Sequence, residues 1–263
     1  MLNVTPIPAF NDNYIWCLQR QGESHAFVVD PGDADAVIAA LGEQQLTLAG
    51  IIITHHHFDH TGGIEALLAE HPVPVYGPHN PGISGISQRL SHGDQVDIAG
   101  ALWDVIEVPG HTLDHIAYFH TPDDAAPILF CGDTLFAGGC GRVFEGDAAM
   151  MLSSLDTLAA LPQETRVFCA HEYTLANLRF AAAVEPDNSA LMRRINRDQA
   201  CRDQGIPTVP STLSLERATN PFLRCRETSV VQRMVEQLSG QESLDGDDPV
   251  AVFAAVRSWK DNF

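Results

Sequence analysis

From residue 48 to 53 the chain reads Leu-Ala-Gly-Ile-Ile-Ile without one polar side chain, and Thr54-His55-His56-His57-Phe58-Asp59-His60 follows at once. An apolar run with no alternation marks a strand buried on both faces. Such a strand needs a sheet covered above and below, which excludes a helical bundle or a one-sided sheet as its home. The histidines begin where that strand ends. In His55-x-His57, alternate residues of extended backbone point the same way, so both imidazoles reach one cation. His56 has the opposite parity and points away. Asp59 and His60 lie where the chain turns into its next helix and can face a second ion nearby. Imidazole with carboxylate suits zinc, iron or manganese, whereas calcium prefers oxygen alone. One histidine in such a place is usually a hydrogen-bonded core or surface residue. Four ligand-type side chains in six positions directly after a buried strand point instead to metal.

Upstream, strands are expected over residues 2–7, 13–20 and 25–30, separated by Asn11-Asp12-Asn13 and Gln21-Gly22. Pro31-Gly32-Asp33 leads to a helix near 35–41, and Thr61-Gly62-Gly63 opens another with Ile64, Leu67 and Leu68 on one face. Further strands are expected near 73–76, 95–98, 102–108, 117–119, 128–131 and 167–170, with a helix over 148–161. This order describes a layered α/β domain with helices outside its sheets. After residue 172 the texture changes: 188–204, 227–238 and 249–262 show helical spacing, and strand signals nearly vanish. The expected organisation is one domain over 1–172 and a smaller helical one over 173–263.

Three more segments place a ligand-type residue just past a strand. Val105-Ile106-Glu107-Val108-Pro109-Gly110-His111 presents His111, Ile128-Leu129-Phe130-Cys131-Gly132-Asp133 presents Asp133, and Val167-Phe168-Cys169-Ala170-His171 presents His171. Each alone is weak, since histidines and aspartates are common in loops. Their shared context carries the argument. His115 reads as a supporting or structural residue, and His25, His71, His79, His92 and His120 as surface residues without strand-end context. Trp103 and Trp259 read as core.

With THHHFDH, PGHT, CGDT and AHEY in that order, the chain resembles the metallo-β-lactamase-fold hydrolases. Within them it resembles glyoxalase II, the hydroxyacylglutathione hydrolases, through GCGR at 139–142, HEYT at 171–174, NPFLR at 220–224 and the terminal RSWKDNF. The resemblance implies an αββα sandwich followed by a smaller all-helical substrate-binding domain. It implies two divalent ions, zinc foremost with iron or manganese also tolerated: one on His55, His57 and His111, the other on Asp59, His60 and His171, with Asp133 between them. Asp59 and Asp133 then act in catalysis through a bridging hydroxide, made available when two ions about 3.5–4 Å apart lower the pKa of a shared water toward about 7. The implied reaction converts S-lactoylglutathione to lactate and glutathione in methylglyoxal degradation. A thiol of pKa near 8.5 leaves without a general acid, which fits motifs that hold no spare acid. Substrate contacts are implied at Arg142, Phe144, His171, Tyr173, Arg257 and Lys260. Phe144 stands where many family members carry tyrosine, so a hydroxyl contact is missing there.

The formal charge of −19 argues against nucleic acid. Residues 1–172 hold 4 basic and 22 acidic side chains, against 11 and 12 in residues 173–263, so cations for an anionic ligand come mainly from the C-terminal part. Arg257 and Lys260, the latter the sole lysine, are three apart and share a helix face. The first residues hold no basic stretch, and no apolar run reaches membrane-spanning length. Six scattered cysteines without C-x-x-C spacing suit reduced thiols. A monomeric cytoplasmic enzyme is the expectation. Rival readings are a persulfide dioxygenase or lactonase on the same fold, for which the helical segment ending in RSWKDNF is not needed. A β-lactamase fits less well without an export signal, and a catalytically silent metal or glutathione binder is disfavoured by the full ligand set.

Overall fold

The computed structural model describes residues 1–238 and 244–263. Its first sheet holds β1 (Leu2–Ala9), β2 (Asn13–Arg20), β3 (His25–Val29), β4 (Thr47–Ile52), β5 (Val75–Pro78) and β6 (Gln88–Leu90), in that spatial order. The first three pair antiparallel and the rest parallel, with α1 (Ala34–Gln44), α2 (Phe58–Thr61) and α3 (Ile64–Glu70) in the connections. The second sheet begins with β7 (Gln95–Ile98), β8 (Ala101–Glu107), β9 (Ile116–His120) and β10 (Ile128–Gly132). A two-strand hairpin, β11 (Leu135–Phe136) and β12 (Gly139–Cys140), then leads to α4 (Ala148–Ala159) and β13 (Arg166–Cys169). Helices α5 (Thr174–Val184) and α6 (Ser189–Asp203) follow, then β14 (Ser211–Thr212), α7 (Leu213–Thr219), α8 (Thr228–Gln237) and α9 (Pro249–Asp261). The second sheet runs β14-β13-β10-β9-β8-β7.

Side-chain parity builds the layers. In β2, Tyr14, Trp16 and Leu18 face the second sheet's Trp103, Phe130 and Phe168, while Ile15 and Cys17 face Val37, Leu41 and Leu67 under α1 and α3. Strand β4 splits likewise: Ile52 lies in the inter-sheet core, Ile51 and Ile53 under the helices. Both faces are dry, which is why its sequence never alternates. Leu152, Leu155 and Leu158 of α4 join the inter-sheet cluster from the far side, completing four layers of helix, sheet, sheet and helix.

The C-terminal part is helical apart from β14, which pairs antiparallel with β13 as the outer strand of the second sheet. Two residues carry no periodicity, so sequence reading cannot see this strand. Helices α5 and α7 and strand β6 also go beyond the expected elements. Helices α6, α7 and α9 start on side-chain caps that satisfy free N–H groups. Asn188 accepts from Ala190 and Leu191, Thr212 from Leu215, and Asp248 from Val250 with Pro249 at the first helical position. Phe180, Phe222 and Phe253 are fully buried between these helices. Asn220 explains the NPFLR motif: its carbonyl oxygen caps the turn at Phe222, and its amide donates to Phe136 O (3.2 Å) and Gly139 O (2.8 Å) of the β11–β12 hairpin. The helical part thereby grips the loop beside the strand ends.

Trp103 is fully buried, while Trp259 is half-buried against Phe180 with the Arg233 guanidinium over its ring. His25, His79 and His92 are exposed, whereas His71 and His120 are half-buried, the latter bonded to Leu102 O. No helix among the described residues is long and apolar enough to cross a membrane.

Candidate metal centre

Strand ends β4, β10 and β13, with the loop after β8, deliver their polar residues to one edge of the sandwich. Nε2 of His55 lies 3.1 Å from Nδ1 of His57, which lies 3.0 Å from Nε2 of His111. Three nitrogens on a tetrahedral zinc would stand roughly 3.3 Å apart, so the spacing matches one cation within a few tenths of an ångström. A second trio faces it. Oδ2 of Asp59 lies 3.4 Å from Nε2 of His60 and 3.5 Å from Nε2 of His171. Asp133 stands between the two: Oδ2 is 3.5 Å from His111 Nε2 and 3.3 Å from His171 Nε2, and Oδ1 is 3.5 Å from His60 Nε2. Both trios offer ligand atoms within 4.8 Å of one another.

The donor set fits divalent cations. Nε2 of His60 and Oδ1 of Asp133 are buried and have no hydrogen-bond partner among the described residues. Orphaned buried polar atoms are costly unless something satisfies them, and here an imidazole nitrogen and a carboxylate oxygen face the same point. In the metal-free side chains, burial lowers His60, but the charges of Asp133 and Asp30 reverse this and raise it well above the ordinary histidine value. Burial raises Asp133, yet His60 and His171 pull it well below the carboxylate range. His55, His57 and His111 are all lowered, chiefly by burial, and are neutral lone-pair donors near pH 7.

Outer partners fix which nitrogen is free. Nδ1 of His60 donates to Asp30 (3.0 Å), Nδ1 of His171 to Asp12 (2.8 Å), and Nδ1 of His111 to the Arg142 carbonyl (2.8 Å). Nδ1 of His55 donates to the Thr54 hydroxyl (3.0 Å), which donates to Asp30 (2.7 Å). Asn13 donates its amide to Asp59 (2.9 Å). Sequence reading passed over Asp30, Asp12 and Asn13. Asp30 does carry a signal, an acid just past an apolar strand; Asp12 and Asn13 sit in a turn and carry none. His56 turns away as parity requires and bonds Asp114 (2.8 Å). His115 accepts the Asp133 N–H (3.0 Å) and stacks on His55. Gly132 and Gly141 leave room for this crowding: a Cβ on Gly132 would meet Thr54 Oγ1 at 2.4 Å, and one on Gly141 the Asp133 carbonyl at 2.0 Å.

The trios open into a cavity of ≈ 500 Å³. Tyr173 stacks flat on His171 (4.7 Å between centroids), and the exposed Phe144 ring meets His57 and His111 edge-on. Arg257 and Lys260 of α9 reach the opposite wall. Arg257 donates to the Cys140 carbonyl (3.2 Å) and Asp261 (2.8 Å), and Lys260 to the Ala176 carbonyl (3.4 Å). Arg142 is largely exposed at the rim, 3.7 Å from Asp261.

Two layered sheets with this His/Asp edge define a hydrolase of the metallo-β-lactamase superfamily, whose family model matches residues 12–171. The same fold recurs in solved structures. An ETHE1 protein from Myxococcus xanthus has a TM-score of 0.64 at 24% identity, over 99% of this chain and 98% of that one. A BLEG-1 B3 metallo-beta-lactamase has a TM-score of 0.62 at 24% identity, over 85% and 99%. TTHA1623, solved in a di-iron-bound form, has a TM-score of 0.60 at 25% identity, over 84% and 100%. Residues 172–263 match the model of the hydroxyacylglutathione hydrolase C-terminus. The hydroxyacylglutathione hydrolase of Hahella chejuensis is 54% identical over the whole of both chains, and that of Alkalilimnicola ehrlichii is 54% identical over 99% of each. The chain belongs to the hydroxyacylglutathione hydrolase family.

Proposed function

We propose that the chain hydrolyses the thioester of S-(2-hydroxyacyl)glutathione, taking S-lactoylglutathione to lactate and glutathione. The observation that carries this reading is the facing pair of ligand trios with Asp133 between them. His55, His57 and His111 would hold one divalent cation and Asp59, His60 and His171 the other, with Asp133 reaching both. Five imidazoles and two carboxylates favour zinc and also tolerate iron or manganese, and the di-iron form of TTHA1623 is consistent with that tolerance. Such a pair supplies an activated water at neutral pH and polarises the scissile carbonyl.

The protein's own groups do the rest. Asp30, Asp12 and the Arg142 carbonyl hold the imidazoles in the tautomer that presents a lone pair. Phe144 and Tyr173 flank the reacting end with apolar ring faces, and Arg257, Lys260 and Arg142 form the cationic end that an anionic peptide needs in a chain of net charge −19. A thiolate leaves without protonation, so no acid is required. The layered sheets of residues 1–172 thus carry the chemistry, and the helices of 173–263 the peptide recognition. One chain holds all of these side chains, so the site needs no residue from a second copy, and we read the enzyme as a monomer. Six free cysteines, five of them buried, support a reducing compartment such as the cytoplasm.

The test is S-lactoylglutathione hydrolysis by the purified metal-loaded protein. Turnover is expected, with KM raised in Arg257→Ala and in Lys260→Ala. Absence of turnover would overturn the thioesterase reading, and unchanged KM in both variants the glutathione assignment.

A further inference from the structure

The catalytic cleft continues past Tyr173. Its lining includes Ala176 and Lys260, and Ala176 also lies in the wall of an adjoining cavity of ≈ 400 Å³ with Asp12, Leu175 and Arg179. Helix α5 makes the shared wall. Tyr173, Ala176 and Arg179 are spaced by three, so they follow one another along one face, each about 4.5 Å further along the axis from His171.

Five cations line these two cavities, and four are already engaged. In the adjoining cavity Arg202 donates to the Ile206 carbonyl (3.0 Å) and lies 3.6 Å from Glu172. Arg257 holds the Cys140 carbonyl and Asp261, Lys260 reaches the Ala176 carbonyl, and Arg142 lies within ion-pair distance of Asp261. Arg179 is exposed and makes no hydrogen bond or ion pair with any described residue. Burial first, then Arg257, Arg179 and Arg142, push the Lys260 ammonium below its ordinary value, which places Arg179 in the same cationic field. An exposed arginine on a helix is ordinarily just solvated. Its place in the wall of the adjoining cavity, three residues past the Ala176 that both cavities share, sets this one apart.

A glutathione thioester has one carboxylate at each end of its peptide and an ammonium beside the outer one. Three residues span about 10 Å when extended, enough to cross from the cleft over Ala176 into the adjoining cavity. We infer that Arg179 is a specificity residue that pairs with the outer, γ-glutamyl α-carboxylate of the substrate. The inference rests on the glutathione-thioester reading above. Asp12, in the same cavity, supplies the negative charge that the neighbouring ammonium meets.

The experiment compares two substrates, S-lactoylglutathione and S-lactoyl-N-acetylcysteinylglycine, which keeps the glycine carboxylate and lacks the γ-glutamyl group. For S-lactoylglutathione, Arg179→Ala raises KM by about 2- to 5-fold, the size that an exposed ion pair gives. Its kcat stays unchanged, because binding is lost equally from ground and transition states. Arg179→Glu raises KM further, and Arg179→Lys restores most of it. For the truncated substrate none of the three variants moves KM. A wild-type KM in Arg179→Ala, or an equal rise with both substrates, overturns the inference. A wild-type protein that cleaves neither substrate overturns the thioesterase reading itself, whereas normal wild-type turnover with a flat Arg179 series overturns only this assignment.

Discussion

Asp30 offers the sharpest perturbation of the metal centre because it touches no proposed ligand atom. It is 4% exposed and accepts three hydrogen bonds: from the Thr54 N–H (2.7 Å), the Thr54 hydroxyl (2.7 Å) and His60 Nδ1 (3.0 Å). Asp30→Asn keeps the shape and one acceptor oxygen. It also keeps the backbone, since Asn tolerates the left-handed φ of 54° found there. What changes is the atom facing His60, which becomes an amide donor. The ring must then accept at Nδ1, and its single proton moves to Nε2, the atom 3.5 Å from Asp133 Oδ1. That tautomer offers a cation no lone pair. Loss of such an outer partner weakens metal binding by about 10- to 100-fold, or roughly 1.4–2.7 kcal/mol. The Thr54 hydroxyl can rotate and accept from the new amide, so the His55 side suffers less. Competition of the metal-free protein with a zinc chelator should resolve two affinities in the wild type, with one selectively weakened in Asp30→Asn. Wild-type affinity at both positions would refute the tautomer argument.

Arg194, Asp198 and Glu216 form a buried ionic group linking α6 to α7, each side chain no more than 1% exposed. Arg194→Met leaves Glu216 buried without its cation and Asp198 with only the exposed Arg197 (2.7 Å), and should cost about 3–5 kcal/mol in urea unfolding; a loss below about 1 kcal/mol would contradict this. Glu185 is raised by burial but lowered further by its hydrogen bonds from Arg224 (2.7 Å) and Ser229 (2.6 Å), so its folded pKa lies below the ordinary glutamate value. The stability it contributes is therefore present above that ordinary value and fades as pH falls through the depressed one. Glu185→Gln should lose about 1.5–3 kcal/mol near neutrality, with the gap to wild type narrowing in acid; a gap constant across pH would contradict the linkage.

Much of this was legible in the sequence because fold and site share one pattern. Residues 48–53 show a strand dry on both faces, and the position of His55, His111, Asp133 and His171 just past strands shows that one sheet edge is polar. The long amphipathic helices α6, α8 and α9 announce themselves by spacing. Strands β6 and β14 do not, because two or three residues have no period. Helix α5 begins three residues after His171, so the signal at 174–184 is hidden behind the ligand loop. Asp12, Asn13 and Asp30 act through other residues, and no spacing rule links Asp12 to a histidine 159 positions away. Only tertiary contact reveals such partners.

The central claim is that two cations together, held by these seven side chains, make the thioester cleavable. Stepwise addition of zinc to the metal-free protein, with S-lactoylglutathione hydrolysis and bound metal read at each step, tests it most directly. Activity should appear with metal, climb with the second ion and level off at two per chain. Full activity in the chelated protein, or a plateau reached at one ion per chain, would contradict the claim.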